Sequence, residues 1–502
     1  MLPRILGRRG SSTPTSPWPI GGEALSYTGG HHFPGDQDIS SARKALLALA
    51  PSAKARVAKA PTAREKGYLQ AVELLYGQGD LLERAIAYSE AMGRLSEQYP
   101  DDMEAAAFYA LSVLRTARRA TSHRQDMQAA AIAQEIFRKN PDHPGAAHYT
   151  IHAWDDPVHA RLALDSARKY LKIAPAAFHA LHMPSHIFSQ LGLWGEMAAS
   201  NDASYDASVA RVERKGLSPF KKDFHALYWS QYAYLQQGRY DLAQSRIESM
   251  APILEREGVP GRIVQQFKQM EALQVVEAEQ WRDIGLSVPP ATASSSLIRF
   301  EINRLRSGAD AVNVRGARVV VFATGMSAVK TGNMARAREA EGELRALYDS
   351  ARTMDGLVAT ATAVVHKELS ALIQLAEGHE KEALALIEEA TVLEESILPS
   401  GPAGETNGDR RPPVKPSHEL YGEILLELGR PDDAAAQFET SLSRMRQRPR
   451  SLLGAARSAA QSGEDETARR YYRKLLQISG AGPDLPGLDE AKRFREKVSD
   501  QS

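Results

Sequence analysis

Eight of the chain's 14 histidines fall between His143 and His225, and their spacing is what could do chemistry. His148 and His182 stand 34 residues apart, as do His152 and His186. Within each pair of neighbours, His148 with His152 and His182 with His186, the separation is four residues, which on a helix puts both imidazoles on one face about one turn apart. Two such helices packed at roughly 8–10 Å bring imidazoles from both within reach of one ion at about 2.0–2.1 Å each. With a carboxylate from Asp155, the set His148, His152, His182, His186 and Asp155 suits Zn, Fe, Cu or Ni, and the spacing does not choose among them. The same residues fit two other roles. They can hydrogen-bond a peptide or small anionic ligand, with stacking surface from Tyr228, Trp229 and Tyr232, or be buried against Asp155, Asp165 or Asp202. Pro184, between His182 and His186, is placed to kink or restart a helix.

The elements that must position these side chains read as helix after helix from Ile39 to about residue 498. Apolar residues recur at three- and four-residue spacing, and Gly or Pro punctuates every 15 to 20 residues. One strand candidate stands out, Val319-Val320-Val321-Phe322, followed by Gly325-Met-Ser-Ala-Val-Lys330-Thr331. That run is similar to a phosphate-binding loop but lacks the glycine before the lysine, so a nucleotide site is a minor expectation.

Six glycines are placed to end one helix and open the next: Gly192, Gly238, Gly332, Gly378, Gly429 and Gly463. Five residues beyond them stand Met197, Ala243, Ala337, Ala383, Ala434 and Ala468. Gly325, Ala371, Gly422 and Ala456 lie seven residues before their turn glycines, a second small contact between paired helices. The stretch from Glu419 through Gly429, Ala434, Phe438 and Leu442 repeats 34 residues later as Leu452 to Leu476, with Gly463, Ala468 and Tyr472 in matching places. The chain thereby resembles the tetratricopeptide repeat family over roughly 140–286 and 317–480, more loosely over 38–139.

That resemblance implies an all-α, right-handed superhelical solenoid of antiparallel helix pairs in two lobes. It also implies that side chains thirteen, ten and six residues before each turn glycine face a concave, ligand-binding groove. Those positions make one ladder: His148, His152, His179, His182, His186, His225, Tyr228 and Tyr232, extended toward the turns by Asp155, Asp156, Gln190 and Gln236. Glu419 and Glu423 occupy the offsets of His182 and His186, close after Lys415 and His418. Two carboxylates one turn apart suit acid–base chemistry, though an Arg-paired helix face is the commoner arrangement.

The domain reading is an irregular N-terminal segment at 1–37, a helical lobe at 38–286 carrying the ladder, a linker at 287–297 and a second lobe at 298–490. A Pro/Gly-rich loop at 399–417 is a candidate lid. Residues 1–21 carry a further expectation, an out-of-frame translation, because DPDFAMAYWG back-translated with G/C-rich codons and shifted one base gives TPTSPWPIG, which matches Thr13 to Gly21. Cytoplasmic location is the default, with an upstream signal peptide left open.

Charge balance is zero, with 62 basic and 62 acidic residues, which argues against nucleic acid as the default partner. The chain has no Cys, so disulfides, thiolate ligands and a cysteine nucleophile are excluded. No apolar run approaches the roughly 18 residues of a membrane span, so no membrane partner is expected. The functional expectation is a tetratricopeptide-type binding scaffold holding a peptide, protein or small polar ligand. Its rival is a metal-dependent oxidoreductase or hydrolase with the histidines as ligands, and no nucleophile elbow or HExxH motif names a reaction.

Overall fold

The computed structural model describes residues 18–27, 38–116, 123–284, 311–353, 356–397, 414–478 and 480–499. Every regular element among them is helical, and they group into two compact units that divide between Met183 and Pro184. The 287–297 linker, the 399–413 part of the Pro/Gly-rich loop and residues 1–17 lie outside the described residues.

Unit 1 contains α1 (Trp18–Ser26), α2 (Ile39–Leu49), α3 (Ala53–Ala58), α4 (Ala63–Leu75), α5 (Leu81–Gln98), α6 (Met103–Thr116), α7 (Arg124–Lys139), α8 (Pro144–Ala153), α9 (Leu164–Ile173) and α10 (Phe178–His182). Trp18–Ser26 is thus a helix inside the segment expected to be irregular. Side-chain caps start α4 and α5: Thr62 with Glu65 and Asp80 with Glu83 form reciprocal capping boxes. Leu46, Tyr68, Leu69, Val72, Leu75, Met92 and Leu95 make one buried cluster between α2, α4 and α5.

Unit 2 contains α11 (Pro184–Leu191), α12 (Trp194–Arg214), α13 (Phe224–Gln236), α14 (Tyr240–Glu248), α15 (Ala251–Leu254), α16 (Gly261–Glu277), α17 (Ala311–Lys330), α18 (Met334–Ala351), α19 (Gly356–Ala376), α20 (Glu380–Ile397), α21 (Ser417–Glu427), α22 (Pro431–Arg444), α23 (Pro449–Gln461), α24 (Asp465–Leu476) and α25 (Leu488–Ser499). All six turn glycines adopt positive φ, from 65° at Gly238 to 83° at Gly378. After each glycine the next residue's N–H donates to the carbonyl five positions back, as Arg430 does to Leu425 at 2.9 Å and Asn333 to Ala328 at 2.8 Å. This is the Schellman closure, and it needs the left-handed residue that glycine supplies without a Cβ clash.

The small residues five positions on do what their register requires. Met197, Ala243, Ala337, Ala383, Ala434 and Ala468 are each 0% exposed. Gly422 and Gly454 seat Phe438, whose ring would lie 2.7 Å and 2.2 Å from a Cβ at either position.

The expected strand at Val319–Phe322 is instead the middle of α17, with Val320, Val321 and Phe322 buried. Packing between α16, α18 and α19 overrides the β-propensity of three consecutive valines. Gly325 is a contact point there, since an added Cβ would sit 2.4 Å from Leu369 Cδ2, and no phosphate loop forms. Helix α19 is long and apolar enough to cross a bilayer by length and composition, contrary to the expectation that no segment is. Its window is 61% buried among its neighbours, the property of a core helix.

Candidate functional site

Helix α8 begins at Pro144, with His143 as its cap: His143 Nδ1 accepts the Ala146 N–H at 3.0 Å. One and two turns further on, His148 and His152 are 7% and 1% exposed, and their Nε2 atoms approach to 2.9 Å. One imidazole nitrogen donates in this contact and the other accepts. His148 stacks on Tyr170 of α9 at 5.3 Å between ring centres and meets His179 edge-on, also at 5.3 Å. His179 is exposed, while His182, 6.5 Å from it, is buried. Four members of the expected ladder therefore gather in unit 1.

The continuation to His186 is interrupted. Helix α10 stops at His182 and α11 starts at Pro184, which has no N–H to give back to the preceding turn. His182 and His186 stand on two helices, one in each unit. Among the described residues no three His, Asp or Glu side chains form a group able to hold a metal ion. Nitrogens bound to one tetrahedral ion lie about 3.4 Å apart, whereas the His148–His152 approach has the length of a hydrogen bond. The expected set of His148, His152, His182, His186 and Asp155 gains no support as a metal centre. Asp155 is buried at the end of α8, and Asp156 beside it accepts the Val158 and His159 N–H groups at 2.8 and 2.9 Å, holding the turn.

In unit 2, His225 and His186 both pack on Trp229, at 5.7 and 4.8 Å between ring centres. Trp229, Tyr228 and His186 are buried, and His225 is half-buried. His179 and His225 occupy the same register, thirteen residues before Gly192 and Gly238. Each presents an accessible imidazole backed by buried rings.

Tyr232 and Glu419 depart from their expected roles. Tyr232 is 0% exposed, stands edge-on to Trp194 at 5.8 Å, and its hydroxyl accepts from Arg448 Nη1 at 3.1 Å. Glu419, also 0% exposed, accepts from Arg448 Nε at 2.7 Å, Arg448 Nη2 at 2.9 Å and Ser451 Oγ at 2.6 Å, with Lys415 Nζ at 3.0 Å. Lys415 Nζ also holds Glu423 at 2.6 Å. Burial pushes the Glu419 carboxyl up, but Arg448 and Lys415 outweigh it and hold it well below the usual carboxylate range. Each Glu419 oxygen thus has two partners, Oε2 with Arg448 and Ser451 and Oε1 with Arg448 and Lys415. Glu419 and Glu423 are thus the Arg- and Lys-paired arrangement rather than two free carboxylates one turn apart.

Sequence reading missed the centre of this network. Arg448 caps α23, is fully buried, and also meets Glu277 at 2.8 Å and Gln236 at 3.4 Å. Nothing in Arg448-Pro449-Arg450 sets it apart from other helix starts, and the residue 34 positions earlier is the apolar Val414. Glu368 was missed too. Burial, with Glu394 beside it, pushes its carboxyl well above the usual range. Ser417 ties the two together, donating its hydroxyl to Glu368 at 2.6 Å and its N–H to Glu394 at 2.8 Å.

Paired helices, Schellman glycines and buried small residues at a repeating register are now all in place. The architecture is tetratricopeptide-like. Neither known protein families nor curated protein sequences match this chain. Among solved structures, a human IFIT1 dimer with m7Gppp-AAAA aligns over 95% of this chain and 94% of its own at 13% identity and a TM-score of 0.40. Yeast Tom70 aligns over 84% and 94% at 9% identity and 0.33, and the P58(IPK) TPR domain over 87% and 99% at 13% and 0.22. Likeness at these scores decides nothing about what the chain binds.

The ladder helices of unit 2 also carry polar side chains that packing does not use up. Gln236 Nε2 and Gln266 Nε2, on α13 and α16, are buried without a hydrogen-bond partner.

Proposed function

We propose that this chain is a tetratricopeptide-type binding scaffold for a peptide or small polar ligand, with His179 as a contact residue of unit 1 and, separately, His225 as a contact residue of unit 2. The observation that carries this reading is their shared register and exposure: the same position relative to the turn, accessible in both units, each resting on buried aromatic or imidazole rings. A backed imidazole is a rigid contact. Its exposed face can stack on a peptide aromatic group. Among the described residues no three His, Asp or Glu side chains form a group able to hold a metal ion, so no observation favours the metal-enzyme reading.

The test is selection of a random octapeptide library on the immobilised full chain. Enriched sequences whose binding weakens in His179→Ala or His225→Ala, but not in His366→Ala, support the proposal. Absence of enrichment, or enrichment indifferent to both histidines, overturns it.

A further inference from the structure

The first helices of unit 1 enclose a cavity of about 970 Å³ between α2, α3, α4 and α5, and no histidine lines it. Its apolar lining includes Leu47 and Leu74, which are 58% and 40% exposed, together with Val57. Large apolar side chains scattered singly over a surface need no explanation, but these two line the same depression. The volume lies at the upper end of the roughly 300–1,000 Å³ typical of ligand sites, and the exposure of its leucines leaves one side open, which suits a chain segment.

Charge selects the occupant. Four basic residues and one acidic residue line the cavity. The acidic one, Glu73, is spent internally: Arg56 Nε and Nη2 reach its two oxygens at 2.5 and 2.6 Å. That leaves Arg43, Lys54 and Arg94 around an apolar floor. Arg43 is held in place by donating to the Tyr76 and Gly77 carbonyls at 2.9 and 2.7 Å, and among the described residues Lys54 has no carboxylate partner. Arg94 has Glu90 only at 4.0 Å, with both side chains well exposed. The chain's own Met1–Pro17 carries Arg4, Arg8 and Arg9 and no acid, so this rim repels it.

We infer that this groove docks an acidic, leucine-bearing amphipathic segment of a partner protein, its leucines on Leu47 and Leu74 and its carboxylates on Arg43, Lys54 and Arg94. The mode is a helix laid in a groove, with apolar anchors at one face and charge fixing orientation. It is independent of the histidine contacts.

Fluorescence anisotropy with the full chain tests it, using a labelled peptide of about 16 residues, roughly four helical turns. The peptide carries Leu at three- and four-residue spacing and Glu elsewhere. Its controls are a scramble of the same composition and a version with Lys for Glu. The expected result is saturable binding of the acidic amphipathic peptide alone. Leu47→Glu with Leu74→Glu should weaken it about tenfold or more. Lys54→Glu with Arg94→Glu should weaken it too and transfer binding to the Lys peptide. All four positions are exposed, so melting curves should match the parent and keep a folding failure apart from a docking failure. Equal binding of the scramble or of the Lys peptide by the parent chain overturns the inference. So does displacement of the peptide by anionic phospholipid vesicles, or self-association of the parent that the Leu47→Glu change abolishes.

Discussion

Arg448 and Tyr232, 216 positions apart in the chain, meet at 3.1 Å between guanidinium and hydroxyl, both fully buried. This contact joins the last helix pairs of unit 2 to α13, near its beginning. It is one of several. Trp194 Nε1 donates to the Gln447 carbonyl at 2.9 Å, and Gly482 N–H to the Gln237 carbonyl at 2.7 Å. Arg448→Met leaves Glu419 and Glu277 buried without their main counter-charge. We expect a loss of about 3–5 kcal/mol, the usual result of removing one partner from a buried ion pair. Urea unfolding would measure it, and a change below about 1 kcal/mol would show the network to be incidental.

Glu368 gives a pH dependence of definite sign. Its carboxyl is raised in the fold, so the folded state binds that proton more tightly than the unfolded chain. The stability this contributes is full below the unfolded pKa and is lost as pH rises through the folded one. Glu368→Gln keeps an acceptor for Ser417 and cannot ionise. The variant's melting temperature should therefore gain on the parent's as pH rises above the ordinary carboxylate range, from about pH 5 upward. A difference that stays flat across that range contradicts the assignment.

The turn glycines separate backbone strain from crowding. Gly332 has φ of 76° and open space where a Cβ would go, so Gly332→Ala should cost only the left-handed penalty, roughly 1–2 kcal/mol. At Gly192, with φ of 67°, the added Cβ would lie 2.4 Å from the Arg446 carbonyl oxygen. Gly192→Ala should cost clearly more in the same denaturation series, and equal costs would deny the close approach.

Ala434 and Ala468 test the repeat register itself. Both are 0% exposed, and neither site has room for three more carbons. Ala434→Leu or Ala468→Leu should each destabilise by about 1–3 kcal/mol through overpacking, and near-zero values at both would mean that the helix pairs are not so closely seated.

His225 and Trp229 should separate contact from packing. His225→Ala removes a half-buried ring and should shift stability by less than about 0.5 kcal/mol, whereas Trp229→Ala empties a buried site and should cost about 3–5 kcal/mol. Comparable losses in thermal melts would place His225 in the core and remove it from any ligand-binding role.

The helix pairs were legible in the sequence because glycine and alanine at fixed offsets report backbone conformation and close approach, which are local. The histidine cluster of unit 1 was legible in part: a four-residue spacing does bring His148 and His152 together. The break at Pro184 was readable as well, since proline's missing N–H acts wherever it stands. What the spacing could not show was the fate of Tyr232 and Glu419. Their partner Arg448 comes from another repeat entirely, and charge pairing between distant segments has no period to detect. The valines of 319–321 misled for the opposite reason. Their local preference was real, and long-range packing overruled it.

The contact between Trp194 and Gln447 spans 253 positions, and this sets a timetable for the growing polypeptide. At ribosomal rates of about 5–20 residues per second, the indole waits roughly 13 to 50 s after its own synthesis before its acceptor exists. Tyr232 and Glu277 wait in the same way for a guanidinium yet to be made. Throughout that interval the nascent unit displays an aromatic pair and an uncompensated carboxylate at a helix end. This transient surface is open to chaperones, and it vanishes only when α23 is complete.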